Sequence, residues 1–349
     1  MTRWKEVLVS TQTSLRDAAQ ILDANALQIV LVVDEEKRLL GTVTDGDIRR
    51  GILKGMALTE PVQSIMNPNP SVARANESPK SVLAEMKRKT LHHMPLVDEQ
   101  GRVVGLDTLD ELINPQIREN RVVLMAGGLG SRLRPLTDDC PKPMLKVGNK
   151  PLLETILENF IEYGFCRFYI SVNYMSEVVK SYFGDGSRWG VAISYLEEDQ
   201  RLGTAGALSL LPERPSEPLL VMNGDLLTKV NFSQLLDFHA SHLAMGTMCV
   251  REYDFQVPYG VVKIENHRIT GIDEKPVQRF FVNAGIYVLQ PEALDIISPN
   301  TFFDMPSLFE KFIEQRNETA VFPIREYWLD IGHMADYERA NGEYVKAFE

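Results

Sequence analysis

"LMAGGLGSRLRPLTDDCPKPMLKVGNKP", Leu124 to Pro151, decides how this chain is read. With Arg121-Val122-Val123 ahead of it, the segment has the form of a short buried strand running straight into a glycine loop, the place at which open α/β sheets bind ligands. A Walker A loop would need a Lys-Ser or Lys-Thr pair after its last glycine, and none follows here. A dinucleotide fingerprint would need a third glycine where Leu133 stands. What remains is a run of bare backbone amides followed by Arg132, Arg134, Lys142 and Lys146. Glycines let N–H groups converge on phosphate oxygens, and guanidinium and ammonium groups add the charge that a polyphosphate requires.

That cluster stands in an acidic chain. The 349 residues include 37 Lys and Arg against 48 Asp and Glu, a formal net charge of −11. This balance argues against an extended nucleic-acid or anionic-membrane surface, so neither partner is expected. The length calls for two or three domains. "MTRWKEVLVS" has no apolar core of signal-peptide length, and no stretch of about 18 consecutive apolar residues occurs; a soluble, cytoplasmic protein is expected. Cys140, Cys166 and Cys249 stand far apart without a CxxC spacing, which indicates neither a zinc site nor a disulfide framework.

The first third of the chain is a duplication. "VLVVDEEKRLLGTVTDGD", from Val30, matches "MPLVDEQGRVVGLDTLDE", from Met94, at a constant offset of 64 residues that also pairs Ser14 with Ser78. Each unit reads as helix, strand, tight acidic turn, second strand ending in Gly-x-x-Thr, and helix. This pattern resembles a tandem pair of cystathionine β-synthase (CBS) domains, with repeats at about 1–60 and 61–118. The resemblance implies an α+β pair able to bind AMP or ATP, with Thr44 and Asp47 of "GTVTDGD" facing phosphate and ribose. Glu111 replaces the aspartate in the second copy. A purely scaffolding role, with Thr44 and Asp47 capping a helix, fits the same residues. "NPQIREN", Asn114 to Asn120, reads as the linker to a second domain at 119–349.

"AGGLGSRLRPLTDDCPKPML" resembles the signature of the sugar-1-phosphate nucleotidylyltransferases, G-G-x-G-[ST]-R-L-x-P followed by P-K-P. The resemblance implies a three-layer, Rossmann-like α/β domain with a mixed, mostly parallel sheet. Ala126, Gly127, Gly128, Gly130 and Ser131 would then hold the nucleotide, with Arg132 on its β- and γ-phosphates and Lys142 on the α-phosphate. Further matches follow in the family's order. "LGTAG" would line the base pocket with Gly203, Thr204 and Gly206, a reading compatible with Thr204 as a helix cap. "LLVMNGD" ends in Asp225 and "YWLDIG" contains Asp330, the implied Mg²⁺ ligands. Gly260 of "PYGVV", Glu274 and Lys275 of "DEKP", and Asn283 of "VNAGIY" would hold the sugar phosphate.

The implied reaction joins a nucleoside triphosphate to a sugar 1-phosphate and releases pyrophosphate, with Arg132, Lys142, Asp225 and Lys275 as its agents. "LRPLT…PKPM" and "VNAGIY" look most like guanylyltransferases acting on mannose-, heptose- or glucosamine-type 1-phosphates. The CBS pair ahead of them resembles the glucosamine-1-phosphate guanylyltransferases of legionaminic acid biosynthesis. GTP is therefore the favoured substrate, with dTTP or UTP as alternatives. A nucleotide-sensing protein with an inactive transferase domain is the reading from another class, and a homo-oligomer is expected because CBS pairs associate face to face.

Overall fold

The computed structural model describes residues 3–25, 27–113 and 117–348. The chain divides into two compact units, Met1–Gln116 and Ile117–Glu349.

In the first unit, β1 (Leu8–Val9), α1 (Leu15–Asn25), β2 (Ile29–Val33), β3 (Leu39–Thr44) and α2 (Asp45–Leu53) make one repeat. The second consists of β4 (Ala73–Arg74), α3 (Pro79–Lys89), β5 (His93–Val97), β6 (Val103–Thr108) and α4 (Leu109–Ile113). Both build a three-stranded sheet with one parallel and one antiparallel pair. Even the register slips coincide, between Val32 and Val33 and between Leu96 and Val97. Ser14 Oγ accepts the Asp17 N–H at 3.1 Å and Ser78 Oγ the Ser81 N–H at 3.2 Å, so the same side chain satisfies an orphan donor at the start of α1 and α3. An antiparallel bridge joins Arg38 to Arg102, and Val103 of the second repeat lies in the apolar core of the first.

The second unit runs β7 (Arg118–Met125), β8 (Lys146–Val147), β9 (Lys150–Pro151), α5 (Leu152–Glu162), β10 (Phe165–Val172), α6 (Ser176–Phe183), β11 (Ala192–Glu197) and α7 (Gly203–Gly206). It continues with β12 (Leu219–Asn223), β13 (Leu226–Thr228), α8 (Phe232–His242), β14 (Gly246–Gln256), β15 (Val261–Glu265), β16 (Arg268–Asp273) and β17 (Val277–Leu289). α9 (Met305–Glu314), β18 (Thr319–Ile324), β19 (Trp328–Asp330) and α10 (Met334–Phe348) complete it. A seven-stranded sheet has the order β11-β10-β7-β12-β17-β14-β18; its first four strands are parallel, and β17 is antiparallel to both neighbours.

The uninterrupted apolar run of β7 is explained by burial on both faces. Val122 and Leu124 pack with Phe160 of α5 and Phe232 of α8, while Val123 points the other way into a core with Leu308 and Phe312 of α9. The result is the expected three-layer sandwich. β7 begins earlier than the linker reading allows: Asn114–Gln116 lie outside the described residues, but Arg118 and Asn120 already belong to the strand. Their polarity is absorbed by partners, Arg118 donating to Tyr163 O and Ser233 Oγ and Asn120 to Pro218 O.

Two pairings position the site. β7 and β12 are adjacent and parallel with Met125 opposite Asn223, so the glycine loop and Gly224-Asp225 leave the sheet side by side. β13 pairs antiparallel with β19 and sets Leu226 opposite Asp330, which brings two aspartates 105 positions apart to neighbouring strand ends.

Candidate active site

Backbone contact fixes the ends of β7 and β12 first. Gly224 donates its N–H to Met125 O at 2.8 Å, and a Cβ on it would stand 2.6 Å from that oxygen, so only glycine allows this crossing. Asp225 follows. Its backbone carbonyl accepts from Ile331 N–H, and its Oδ2 lies 2.5 Å from Lys142 Nζ. Lys142 is brought there by a single 3₁₀ turn, Lys142–Met144, entered from Pro141, and its side chain is only 9% exposed. Asp225 Oδ1 is buried and has no hydrogen-bond partner.

Asp330 stands beside this pair. Desolvation, then the Asp225 charge, pushes its carboxyl above the ordinary carboxylate range, with Lys142 and Arg132 opposing. The residue keeps an exposed face, so solvent damps the first of these causes. Arg132 comes from the Ser131–Leu133 turn of the glycine loop and brings its guanidinium beside Gly332, just after Asp330. The site thus holds two carboxylates and two cations from four separate segments.

The loop is closed upon itself. Gly130 has φ +61°; its carbonyl accepts from Thr137 Oγ1 at 2.9 Å, and a Cβ there would meet Thr137 and Lys142 at 2.9 and 3.1 Å. Ala126 is buried and donates to Ser171 O, whereas Gly128 and Ser131 are exposed, and a Cβ on Gly128 would meet no atom within 4 Å. Among the other loop cations, Arg134 pairs with Asp138 and Lys146 is exposed.

The LGTAG turn uses its small residues differently from a bare ligand cradle. A Cβ on Gly203 would stand 2.6 Å from Asp304 Oδ1, and one on Gly206 2.5 Å from Thr301 O; the close approach that these glycines permit is to the segment before α9. Thr204 Oγ1 accepts the Met305 N–H at 2.8 Å, so it serves the first turn of α9 from another segment.

Gly260, Glu274 and Lys275 gather at the foot of β15 and β16, whereas Asn283 stands apart from them on β17, opposite Val250 of β14. Glu274 Oε2 lies 3.0 Å from where a Gly260 Cβ would be, and Lys275 has φ +48°. Asn283 is held by accepting from Gly285 N–H and donating to Tyr287 Oη. Among the described residues no hydrogen bond or ion pair links this group to Asp225.

Two participants carry no signal in the sequence. Glu198 accepts from Ser171 Oγ at 2.5 Å and from Leu202 N–H at 2.9 Å, and its Oε1 fills the space that a Cβ on Gly127 would need at 2.9 Å. It ties β10, the glycine loop and the LGTAG turn together, yet nothing in "LEEDQ" separates it from Glu197, which pairs with Lys180. Asn223 Oδ1 is the second; it is buried without a partner two residues before Asp225.

In the first unit, Asp47 Oδ2 accepts from the Thr44 N–H and Oγ1 at 2.8 and 2.6 Å, and Asp47 Oδ1 from Arg50 at 2.5 Å. Both residues cap α2 and at the same time line a cleft of about 530 Å³ shared with Arg50, His92 and His93. Burial, then His92, lowers the His93 pKa.

The family profile "Nucleotidyl transferase" matches residues 121–347. The chain belongs to that family. The CBS domain profile matches residues 1–54 and 62–114. Among similar proteins, probable mannose-1-phosphate guanylyltransferase 1 of Oryza sativa subsp. japonica is 34% identical over 232 residues, covering 62% of each chain. The mannose-1-phosphate guanylyltransferase catalytic subunit beta of Drosophila melanogaster is 34% identical over 233 residues, covering 64% of this chain and 63% of its own. The nucleotidyl transferase match thus spans somewhat under two thirds of these relatives' length. HddC from Yersinia pseudotuberculosis, solved with GMP-PN, superposes with a TM-score of 0.52 at 24% identity over 64% of this chain and 99% of that one. A putative glucose-1-phosphate thymidylyltransferase from Bacillus anthracis gives 0.52 at 22%, over 64% and 94%. At these identities the superpositions speak for the fold of the nucleotidyl transferase unit. No helix among the described residues is long and apolar enough to cross a membrane.

Proposed function

We propose that the second unit transfers a nucleotidyl group from a nucleoside triphosphate, GTP by preference, to a hexose 1-phosphate and releases pyrophosphate. The observation that carries this reading is the group Lys142–Asp225–Asp330 with Arg132, set at the mouth of a glycine loop in a protein of net charge −11. The naming of its relatives as mannose-1-phosphate guanylyltransferases supports guanine as the base and a mannose-, glucosamine- or heptose-type sugar.

The chemistry asks for alignment and charge neutralisation. The sugar phosphate is already ionised near neutral pH, so one of its oxygens can attack the α-phosphorus without a general base. The obstacle is repulsion between two anions, and fixed cations in a poorly solvated pocket lower it. Arg132, on the exposed turn of the loop, is placed to draw the β- and γ-phosphates outward as leaving group. Lys142, held in place by Asp225, neutralises charge at the α-phosphate. Lys275 holds the incoming phosphate, and Gly260, Glu274 and Asn283 meet the sugar hydroxyls. Ala126, Gly127, Gly128, Gly130 and Ser131 present the loop amides to the triphosphate, and Gly203, Thr204 and Gly206 bound the base.

A divalent cation fits the residues present. Mg²⁺ takes hard oxygen ligands, usually one or two carboxylates with water and phosphate completing the shell. Asp225 Oδ1 is such an oxygen without a partner, and Asp330 is the carboxylate beside it. Among the described residues no group of three or more His, Cys, Asp or Glu forms a cage, which suits Mg²⁺ shared with substrate better than a structural metal. When bound, the ion would supply Lewis-acid charge and a template for the two phosphates.

The cleft of the first unit suits an adenine nucleotide, AMP or ATP, with Thr44, Asp47 and Arg50 at its polar end. Pyrophosphate release from each of four NTPs with a panel of hexose 1-phosphates tests the enzyme reading, and no release from any pair sinks it. Repeating the productive pair with AMP and with ATP tests the cleft; a rate unchanged by both removes the regulatory role.

A further inference from the structure

Glu198 stands just past the end of β11, and its backbone is held on both sides. Its N–H donates to Val172 O at 3.0 Å, and its carbonyl accepts from Asn173 Nδ2 at 2.6 Å. The carboxylate is therefore aimed from a fixed point. Oε1 accepts at 2.5 Å from Ser171 Oγ, on a residue with no exposed surface, and Oε2 accepts the Leu202 N–H at 2.9 Å. Leu202 opens the LGTAG turn. Ser171 supports the glycine loop, since its carbonyl accepts the Ala126 N–H at 2.9 Å. Gly127 does not have a positive φ; its missing side chain leaves room for Glu198 Oε1, which a Cβ there would meet at 2.9 Å.

The glycine loop and the LGTAG turn are otherwise separate. The loop leaves β7 and the turn follows β11; among the described residues no hydrogen bond or ion pair runs directly from residues 126–134 to residues 202–206. On its far side the turn is fastened by backbone to the segment before α9. Leu202 O accepts from Phe303 N–H at 2.8 Å, and the Ala205 and Gly206 N–H groups donate to Phe303 O at 2.9 and 2.8 Å. Removal of the Glu198 carboxylate would thus free the turn from the loop without detaching it from the fold.

We propose that Glu198 is a positioning residue that fixes the spacing between the triphosphate loop and the base turn, an inference that rests on the nucleotidyl transfer reading above. Two observations favour an indirect role. Both carboxylate oxygens are engaged by protein donors, and a carboxylate beside Gly127 repels a phosphate rather than holding it. A nucleotide must meet the loop with its phosphates and the turn with its base at once. A loop and turn free to drift are in register only part of the time, and apparent affinity falls by that fraction. Once seated, the nucleotide itself holds the two parts, so binding suffers far more than the transfer step. A fragment that meets only one part needs no register.

The test compares wild type, Glu198→Ala and Glu198→Gln in GDP-sugar formation from GTP, with guanosine and tripolyphosphate as competing fragments. Glutamine can accept from Leu202 N–H through its oxygen and donate to Ser171 Oγ through its nitrogen, so it keeps both contacts. In the alanine variant KM for GTP is expected to rise about tenfold or more, the factor that one hydrogen bond to a charged group is worth. Its kcat and the Ki of each fragment stay within about threefold of wild type, and the glutamine variant restores KM. A KM that does not rise overturns the proposal. A guanosine Ki that rises with KM, without rescue by glutamine, overturns it by making Glu198 a contact of the base. Fragment Ki values that both rise as much as KM overturn it in favour of a general loss of structure. Hydrogen exchange without substrate reads the tie by itself: residues 126–133 and 202–206 are expected to exchange faster in the alanine variant and at the wild-type rate in the glutamine variant. A wild type that forms no product fails the functional reading, whereas unchanged exchange in the alanine variant fails the tie, whatever the wild type forms.

Discussion

Lys142 Nζ lies 2.5 Å from Asp225 Oδ2, and the lysine has almost no other access to solvent. The pair crosses from the glycine loop to the end of β12, so it holds in place, before any substrate arrives, the cation proposed to meet the α-phosphate. Lys142→Met keeps the length of the side chain and removes the charge. Turnover is expected to fall about 10²- to 10³-fold, the usual cost of one preorganised electrostatic group. Asp225 keeps about a quarter of its side chain in solvent, so the loss in stability stays near 1–3 kcal/mol rather than the larger cost of a fully buried orphan. Initial-rate assays and urea unfolding measure both. Lys146→Met, at an exposed position, is the control and changes neither by more than about twofold.

The unpartnered Asp225 Oδ1 gives a prediction that does not depend on turnover. In the wild type, Mg²⁺ added with a non-hydrolysable GTP analogue is expected to raise the melting temperature beyond the analogue alone, since a ligand that binds only the folded state stabilises it by mass action. In Asp225→Asn or Asp330→Asn the magnesium increment disappears while the analogue's own effect is reduced but present. Turnover of Asp225→Asn falls about 10²-fold or more. A full magnesium increment in both variants moves the metal elsewhere.

Gly203 separates a packing role from a ligand role. Its φ is +78°, and a Cβ would stand 2.6 Å from Asp304 Oδ1 and 2.7 Å from Phe303 O. Gly203→Ala is expected to cost about 2–4 kcal/mol from a strained dihedral together with an enforced shift of the segment before α9. Gly128→Ala meets no atom within 4 Å and leaves stability within about 1 kcal/mol of wild type. If Gly128 faces phosphate, its variant raises KM for the nucleotide at unchanged stability. Denaturant curves alongside KM for both variants check the contrast.

The features legible in the sequence are those whose physics is local or periodic. The offset of 64 residues foretold two similar sheets because a duplicated apolar pattern folds twice the same way, down to the slips after Val32 and Leu96. The run Val122–Leu124 foretold a short buried strand, and the two cores on either side of it account for that burial. Glu198 stayed hidden because its role depends on Ser171, Gly127 and Leu202 meeting in space, and no spacing along the chain encodes that meeting. The use of Gly203 and Gly206 was hidden too: a glycine announces close approach, but Thr301–Asp304 is about 100 residues away. The extent of β7 was masked by Arg118 and Asn120, polar residues whose partners lie on other segments.

Asp107 gives the first unit a pH dependence of known sign. Burial, with the Glu111 charge second, pushes its carboxyl up to about 6 from an ordinary 3.8. The folded unit therefore holds this proton more tightly than the unfolded chain does, so the contribution is complete below about 3.8 and is lost as pH rises through about 6. The loss is at most about 3 kcal/mol, less whatever solvent reaches the partly exposed side chain. Asp107→Asn carries a neutral group of nearly the same shape at every pH. The variant is expected to lose less stability than the wild type between pH 4 and 7, so the difference between them grows in its favour across that interval. Hydrogen exchange over His93–Thr108, corrected for intrinsic rates at pH 4.5 and 7, reads the local unit directly. A difference that is the same at both pH values would place the Asp107 carboxyl back in the ordinary range.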